Sequence, residues 1–278
     1  MNGFNAIVLS GGQLLMTRVR KIHRVNSSFE NQFVMRLHFF NHLQDQDNIL
    51  HFVSSRSGGV STGIYDSLNL SYTAGDDTDN VTQNRKHLAE ELGVAPGQLV
   101  FPVQSHSANV RVIKDVEHVK ERINQTDALI TQVREICLSV LVADCVPLLF
   151  YDPDKQVAAA AHAGWRGTVQ SLAFKVVEEM KRTFGSDPAA LLVGIGPSIG
   201  PDSYEVGENV VREVKRNIHL DDKQVLLYPT SGKAHFDLWA ANRMQLQHAG
   251  VDPVHIEEAR IDTYQAHDHF FSARRLGN

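Results

Sequence analysis

From residue 33 onward, short apolar runs alternate with longer stretches in which apolar positions recur every three or four residues, the two periods that mark strands and helices. Runs rich in β-branched and aliphatic residues predict strands over 51–55, 99–104, 109–113, 128–131, 138–143, 148–151, 157–161, 191–195 and 225–228. Helices are predicted over 79–92, with Asp79 as cap and Gly93 as stop, and over 168–184, with Thr168 and Gly185 in the same roles. Two more are expected near 207–218 and 236–249. The strands come in pairs and meanders instead of strict strand–helix alternation. That order predicts an α/β protein of the α+β type, a mixed sheet or stacked sheets flanked by helices, and disfavours a doubly wound parallel sheet.

The first 32 residues mix Gly, Asn and Ser without a clear period and are set apart as a poorly structured extension. Residues 33–278 are then expected to form one domain, since no low-complexity linker or repeat interrupts them.

Composition narrows the partners. The net charge of −5 with 21% charged residues supplies no basic field for nucleic acid or an anionic membrane, so a small-molecule partner is expected. No apolar run reaches the length of about eighteen residues that suggests a membrane span. Two cysteines, Cys137 and Cys145, both in or beside apolar runs, exclude a disulfide framework and fit a reducing, cytoplasmic setting.

Three segments carry chemistry that core packing does not explain: PVQSH (102–106), ADCVP (143–147) and AHAGWRGT (161–168). Each follows or opens an apolar run, where a sheet fixes the backbone and a loop leaves the side chain reachable. Imidazole nitrogen and thiolate sulfur are donors that zinc prefers, and three protein ligands leave a fourth position open, so His106, Cys145 and His162 form a candidate metal triad. The plain alternative is a small buried Cys145 and two hydrogen-bonded loop histidines, the reading that suits Cys137 well. The run from His162 through Gly164 and Arg166 leads from a strand into a predicted helix, a geometry suited to phosphate or carboxylate, and Arg56 in SSRSGGVS offers a second guanidinium. The loop GIGPSIG (194–200) lacks dinucleotide-binding spacing and reads as a turn. Arg274 or Arg275 in FFSARR stands either near a ligand or in solvent.

Taken together these segments resemble the laccase-domain family of purine nucleoside phosphorylases, formerly described as multicopper polyphenol oxidoreductases. The resemblance rests on SSRSGGVS (54–61), LNL (68–70), GDD (75–77), NRKHLAEELG (84–93), PVQSH, TDALIT (126–131), ADCVPLLFYD (143–152), AAHAGWRGT (160–168), GIGPSIGPDSYEVG (194–207), FDLWAANRMQL (236–246) and FFSARR (270–275). It implies a zinc site at His106, Cys145 and His162, with copper as the alternative ion. It also implies phosphorolysis of adenosine, inosine and methylthioadenosine, and deamination of adenosine. Purine nucleoside and phosphate are therefore the expected partners.

In such chemistry a metal-activated water attacks C6 of the purine, Asp144 is the candidate acid for the leaving amine, and Arg56 and Arg166 are candidates for holding phosphate. Where the family carries a cysteine shortly before its FFS segment, this chain reads RIDT (260–263). Three other readings stay open. Cys145 and His162 can form the nucleophile pair of an amidase acting on a peptidoglycan precursor. A copper polyphenol oxidase needs paired histidines, and only His267 and His269 form an HxH pair. A non-catalytic nucleotide sensor needs only the pocket.

Overall fold

The computed structural model describes residues 4–10, 35–115, 122–217, 221–229 and 232–276. Its strands in chain order are β1 (Phe4–Ser10), β2 (Leu37–His38), β3 (Ile49–Ser54), β4 (Leu99–Val100), β5 (Val110–Ile113), β6 (Ala128–Thr131) and β7 (Ile136–Val142). They continue with β8 (Val146–Asp152), β9 (Val157–Ala163), β10 (Leu192–Ile195), β11 (Leu226–Leu227), β12 (His235–Phe236) and β13 (Ile256–Glu258). The α-helices are α1 (Asn41–Gln44), α2 (Thr78–Leu92), α3 (Trp165–Val169), α4 (Leu172–Phe184), α5 (Glu208–Arg216), α6 (Asp222–Val225) and α7 (Leu238–His248).

Two mixed sheets stack, one ordered β2-β3-β1-β7-β4 and the other β13-β10-β8-β9-β6-β5, with β11 and β12 as a separate pair. Period-two alternation explains the layering. In β9, Ala158 and Ala160 join the core between the sheets with Leu138 and Val140 of β7, while Val157, Ala159 and Ala161 face Val176, Val177 and Met180 of α4. The far face of the first sheet, with Phe52 and Cys137, packs on Leu88 and Leu92 of α2. The result is a mixed α/β domain with helices outside two sheets, as the strand order predicted. Alanines run through the buried β9, whose small side chains let sheet and helix close on it from both faces.

Several boundaries differ from the sequence reading, each for a local reason. Asp77, not Asp79, caps α2, accepting from the Asp79 N–H, while Gly93 ends the helix in the left-handed region (φ 69°) as expected. The predicted helix 168–184 is broken into α3 and α4 by Ser171 at φ 62°. Tertiary hydrogen bonds hold the break: Asn217 Nδ2 donates to Val169 O and to Ser171 Oγ, and Gln245 Nε2 donates to Thr168 O. The predicted strand 99–104 stops at Val100, because the Gln104 side chain takes over the pairing. Its Nε2 donates to Leu141 O and its Oε1 accepts from Leu141 N, both at 2.7 Å. The run 225–228 divides between the end of α6 and β11. Residue 218 of the predicted helix 207–218 lies outside the described residues, as does most of the segment 1–32. Residues 4–10 of that segment form β1, paired antiparallel to β3 and β7, so this part takes a place inside a sheet. Among the described residues no helix is long and apolar enough to cross a membrane.

Candidate metal centre

One end of the six-stranded sheet gathers the three segments. β8 and β9 are antiparallel with Val146 opposite Ala163, which puts Cys145, one residue before β8, beside His162 and Gly164 at the end of β9. β6 pairs with β9 so that Ala128 faces Ala161, and Asp127 just before it receives the His162 N–H on its carbonyl at 2.7 Å. His106 belongs to the irregular stretch between β4 and β5 and takes φ 57°, the left-handed region that side chains other than glycine rarely adopt.

Asp127 holds that stretch in place. Its side chain is fully buried. Oδ1 accepts from the His106 N–H at 3.0 Å and from His162 Nδ1 at 2.8 Å. Oδ2 accepts from the Ser107 N–H and Oγ, both at 2.7 Å, and from the Ser105 N–H at 3.2 Å. A carboxylate accepts only, so Nδ1 of His162 carries the proton and Nε2 is the atom left for a ligand.

Ligand atoms of His106, Cys145 and His162 all lie within 4.8 Å of one another, and the two imidazole rings meet edge to face with centroids 4.7 Å apart. Among the described residues this is the one such cluster of His, Cys, Asp or Glu donors. Burial opposes ionisation of the Cys145 thiol, but His162 and His106 outweigh it and bring the thiol down to about 6. Burial likewise opposes the charge on His162, and the Cys145 sulfur and Asp127 overcome it, raising the imidazole to about 9. Asp127 is held below the usual carboxylate range by its hydrogen bonds to His162 and Ser107, against the effect of burial. Two nitrogens, one thiolate-prone sulfur, and a carboxylate orienting one of the imidazoles fit a tetrahedral ion with one open position.

Gly164 allows this convergence: a Cβ there would stand 2.9 Å from Cys145 Sγ and 3.1 Å from His106 Cδ2. The other predicted residues are placed around the triad in different ways. Asp144, at φ 75° and buried, points away toward the C-terminal segment, accepting from Thr263 Oγ1 at 2.8 Å, Ser272 Oγ at 3.0 Å and the Arg274 N–H at 2.7 Å. Burial raises its carboxyl even so. Arg56 is half-buried over the Phe271 ring and donates to the carbonyls of Asp66 and His267. Arg166 is exposed, its guanidinium 4.6 Å from the Trp165 ring. It sits on the five-residue α3, so the long helix dipole expected behind it belongs instead to α4. His267 and His269 stand outside the cluster, on the C-terminal segment.

Two residues were not singled out from sequence. Asp127 sits inside TDALIT, and its signal, a buried acid directly before an apolar strand, is shared by many turn residues. Tyr204 is partly buried, stacks on Phe236, and its hydroxyl is pushed up by desolvation and by the neighbouring Cys145 sulfur. Arg274, which the sequence placed either near a ligand or in solvent, lies over the Tyr204 ring at 5.1 Å and donates to Glu205 O.

This arrangement has relatives. A purine nucleoside phosphorylase of Bacteroides thetaiotaomicron is 42% identical over 241 residues, covering 84% of this chain and 89% of that protein. A protein named adenosine deaminase RL5, from an unknown prokaryotic organism, is 40% identical and covers 81% of this chain and 88% of its own length. The crystal structure of YlmD from Geobacillus stearothermophilus superposes with a TM-score of 0.74 at 32% identity, over 81% of this chain and 85% of that one. The family model described as multi-copper polyphenol oxidoreductase laccase matches residues 50–278, a span that takes in all three metal donors and Asp127, and the chain belongs to that family.

Proposed function

We propose that the chain is a zinc-dependent enzyme of purine nucleosides that cleaves adenosine, inosine and methylthioadenosine with phosphate and deaminates adenosine. The observation that carries the reading is the convergence of His106, Cys145 and His162 with Asp127 behind His162. The names of the relatives, phosphorylase and adenosine deaminase, supply the substrate class. Zinc is favoured over copper by one three-donor cluster of two nitrogens and a sulfur. When bound, the ion supplies a Lewis acid at the open fourth position.

The chain's own residues do the rest. Asp127 fixes the ring of His162, Gly164 keeps the face beside Cys145 free of a side chain, and Tyr204 with Arg274 forms a rim near the same sulfur. Asp144, with both oxygens occupied by three donors, suits positioning of the 143–145 loop better than proton transfer to a leaving amine. Of the two arginines expected to meet phosphate, Arg56 is committed to backbone carbonyls, whereas exposed Arg166 can attract the anion from solvent. Two unpaired cysteines suit a cytoplasmic setting.

The test is to incubate metal-analysed protein with adenosine, with and without phosphate, and to separate adenine from inosine, with Cys145→Ala in parallel. Adenine that requires phosphate, or inosine, absent in the variant, is the expected result. No product from zinc-loaded protein rejects the reading.

One observation favours a second reading. Cys145, His162 and Asp127 line up as a low-pKa thiol, an imidazole and its orienting carboxylate, the arrangement of a Cys–His acyl hydrolase such as an amidase. Stoichiometric zinc and protection of Cys145 from iodoacetamide by the metal would count against it; rapid alkylation of zinc-equilibrated protein would favour it.

A further inference from the structure

A cavity of about 300 Å³ lies beside the segments 101–104 and 141–143, which lead within two residues to His106 and Cys145. Gln104 and Leu141 knit its two walls together through the paired hydrogen bonds described above. Arg85 of α2 reaches into it. Its Nε and Nη2 donate to Leu70 O at 2.9 and 2.7 Å, and its guanidinium lies between the rings of Tyr72 and Phe101, 4.4 and 3.9 Å from their centres. Among the described residues nothing accepts from Nη1, and no carboxylate pairs with this side chain.

A desolvated cation without a counter-charge is costly, and burial accordingly pulls the Arg85 guanidinium down to about 10. Arg122 adds a second positive charge to the lining, Ser71 and Thr73 add hydroxyls, and no Asp or Glu is among the described lining residues. The larger cavity beside α4, of about 810 Å³, is different: Glu178 and Glu179 line it alongside Arg111, Lys175, Lys181 and Arg182, and Arg182 is already paired with Glu179. An anion from solution would supply what Arg85 lacks. Two stacked rings fix the plane of the guanidinium, which suits it to a flat fork of acceptors such as phosphate oxygens.

We infer that this cavity is a binding site for a phosphate group, held by Arg85 with Arg122 at its side. The group is borne by free orthophosphate or by a small phosphate ester, for which the cavity has room. The inference rests on the phosphorolysis reading only for the anion's source, since that reaction consumes phosphate and produces a pentose 1-phosphate. Binding of the anion itself needs no turnover.

The test is calorimetric titration of the full-length, metal-loaded protein with orthophosphate and, separately, with ribose 1-phosphate. Saturable binding of either is expected. Arg85→Gln should weaken it roughly tenfold or more, as loss of a charge-assisted hydrogen bond does, and Arg122→Gln should weaken it a few fold. Arg166→Ala, on an exposed and screened side chain, should have a smaller effect than Arg85→Gln. Circular dichroism checks that Arg85→Gln is folded; if it is not, Arg122→Glu decides, and must weaken binding more than Arg122→Gln. The proposal is overturned if neither ligand saturates the wild type, if the folded Arg85 variant or the Arg122 charge reversal binds like the wild type, or if Arg166→Ala shows the larger loss. Wild type that binds phosphate through Arg85 but turns over no nucleoside would reject the enzymatic reading and leave the site standing. Turnover with phosphate affinity indifferent to Arg85 would do the reverse.

Discussion

Two buried aspartates flank the candidate metal centre, and they hold it by different means. Asp127 gathers one short loop and an imidazole: its donors are the N–H groups of Ser105, His106 and Ser107, the Ser105 and Ser107 hydroxyls and His162 Nδ1. Asp144 gathers a distant segment, and two of its three donors are hydroxyls, Thr263 Oγ1 and Ser272 Oγ. A backbone N–H can only donate, while a hydroxyl can turn round and accept. The first carboxylate is therefore irreplaceable by an amide, and the second is not. Their acidities separate in the same sense: Asp127, beside a cationic imidazole, is driven down, and Asp144, buried with mostly neutral donors, is driven up.

The largest effect should come from Asp127→Asn. Its amide NH₂ must confront a donor whichever way it is turned, so stability should fall by about 3 kcal/mol and metal affinity by about 10–100-fold. Denaturant unfolding and competition with a chelator measure the two. Gly164→Ala should come next, because the added methyl meets Cys145 Sγ and His106 Cδ2. An overpacking penalty of about 1–3 kcal/mol should appear mainly as weaker metal binding, with the metal-free protein less affected.

The electrostatics of the pair give a third expectation, read as protons released on metal binding in buffers of different ionisation enthalpy. Between about pH 6 and 9 the metal-free site holds a thiolate against an imidazolium, so binding should release the one proton of His162. Below about 6 the thiol is also protonated and adds its own proton to the release; above about 9 the contribution of this pair should fall toward zero. Affinity should thus rise with pH up to about 9. The smallest effect belongs to Asp144→Asn. With Oδ1 toward Ser272 and Arg274 and Nδ2 toward a reoriented Thr263 hydroxyl, it should cost about 1 kcal/mol or less, and Thr263→Val in that background should raise the cost. A loss at Asp144 as large as that at Asp127 would collapse the distinction.

The contrast also explains what the sequence could reveal. Cys145 and the two histidines were legible from their chemistry at the edge of apolar runs and from the family resemblance, and most strands of the second sheet from their short apolar runs, whereas the order of those strands was not. Asp127 was not, since nothing local separates it from an ordinary turn acid; its role depends on Ser105–Ser107 and His162 arriving from elsewhere in the chain. The break at Ser171 was hidden for the same reason. No glycine or proline marks it, and the groups that stabilise it, Asn217 and Gln245, come from later elements. Arg56 was read as a phosphate ligand, and its contacts to the Asp66 and His267 carbonyls, which come from elsewhere in the chain, were not legible.

The clasp around Asp144 also sets an order in time. Its three hydrogen bonds join residues 119, 128 and 130 positions apart, and all three partners follow every metal donor in the chain. On a ribosome, all three metal donors are synthesised well before Thr263, Ser272 and Arg274 exist to fasten the loop that carries Cys145. A nascent or truncated chain ending before Thr263 therefore carries every ligand but leaves Asp144 without these three partners, so the loop that carries Cys145 is fastened only after all three donors have been made.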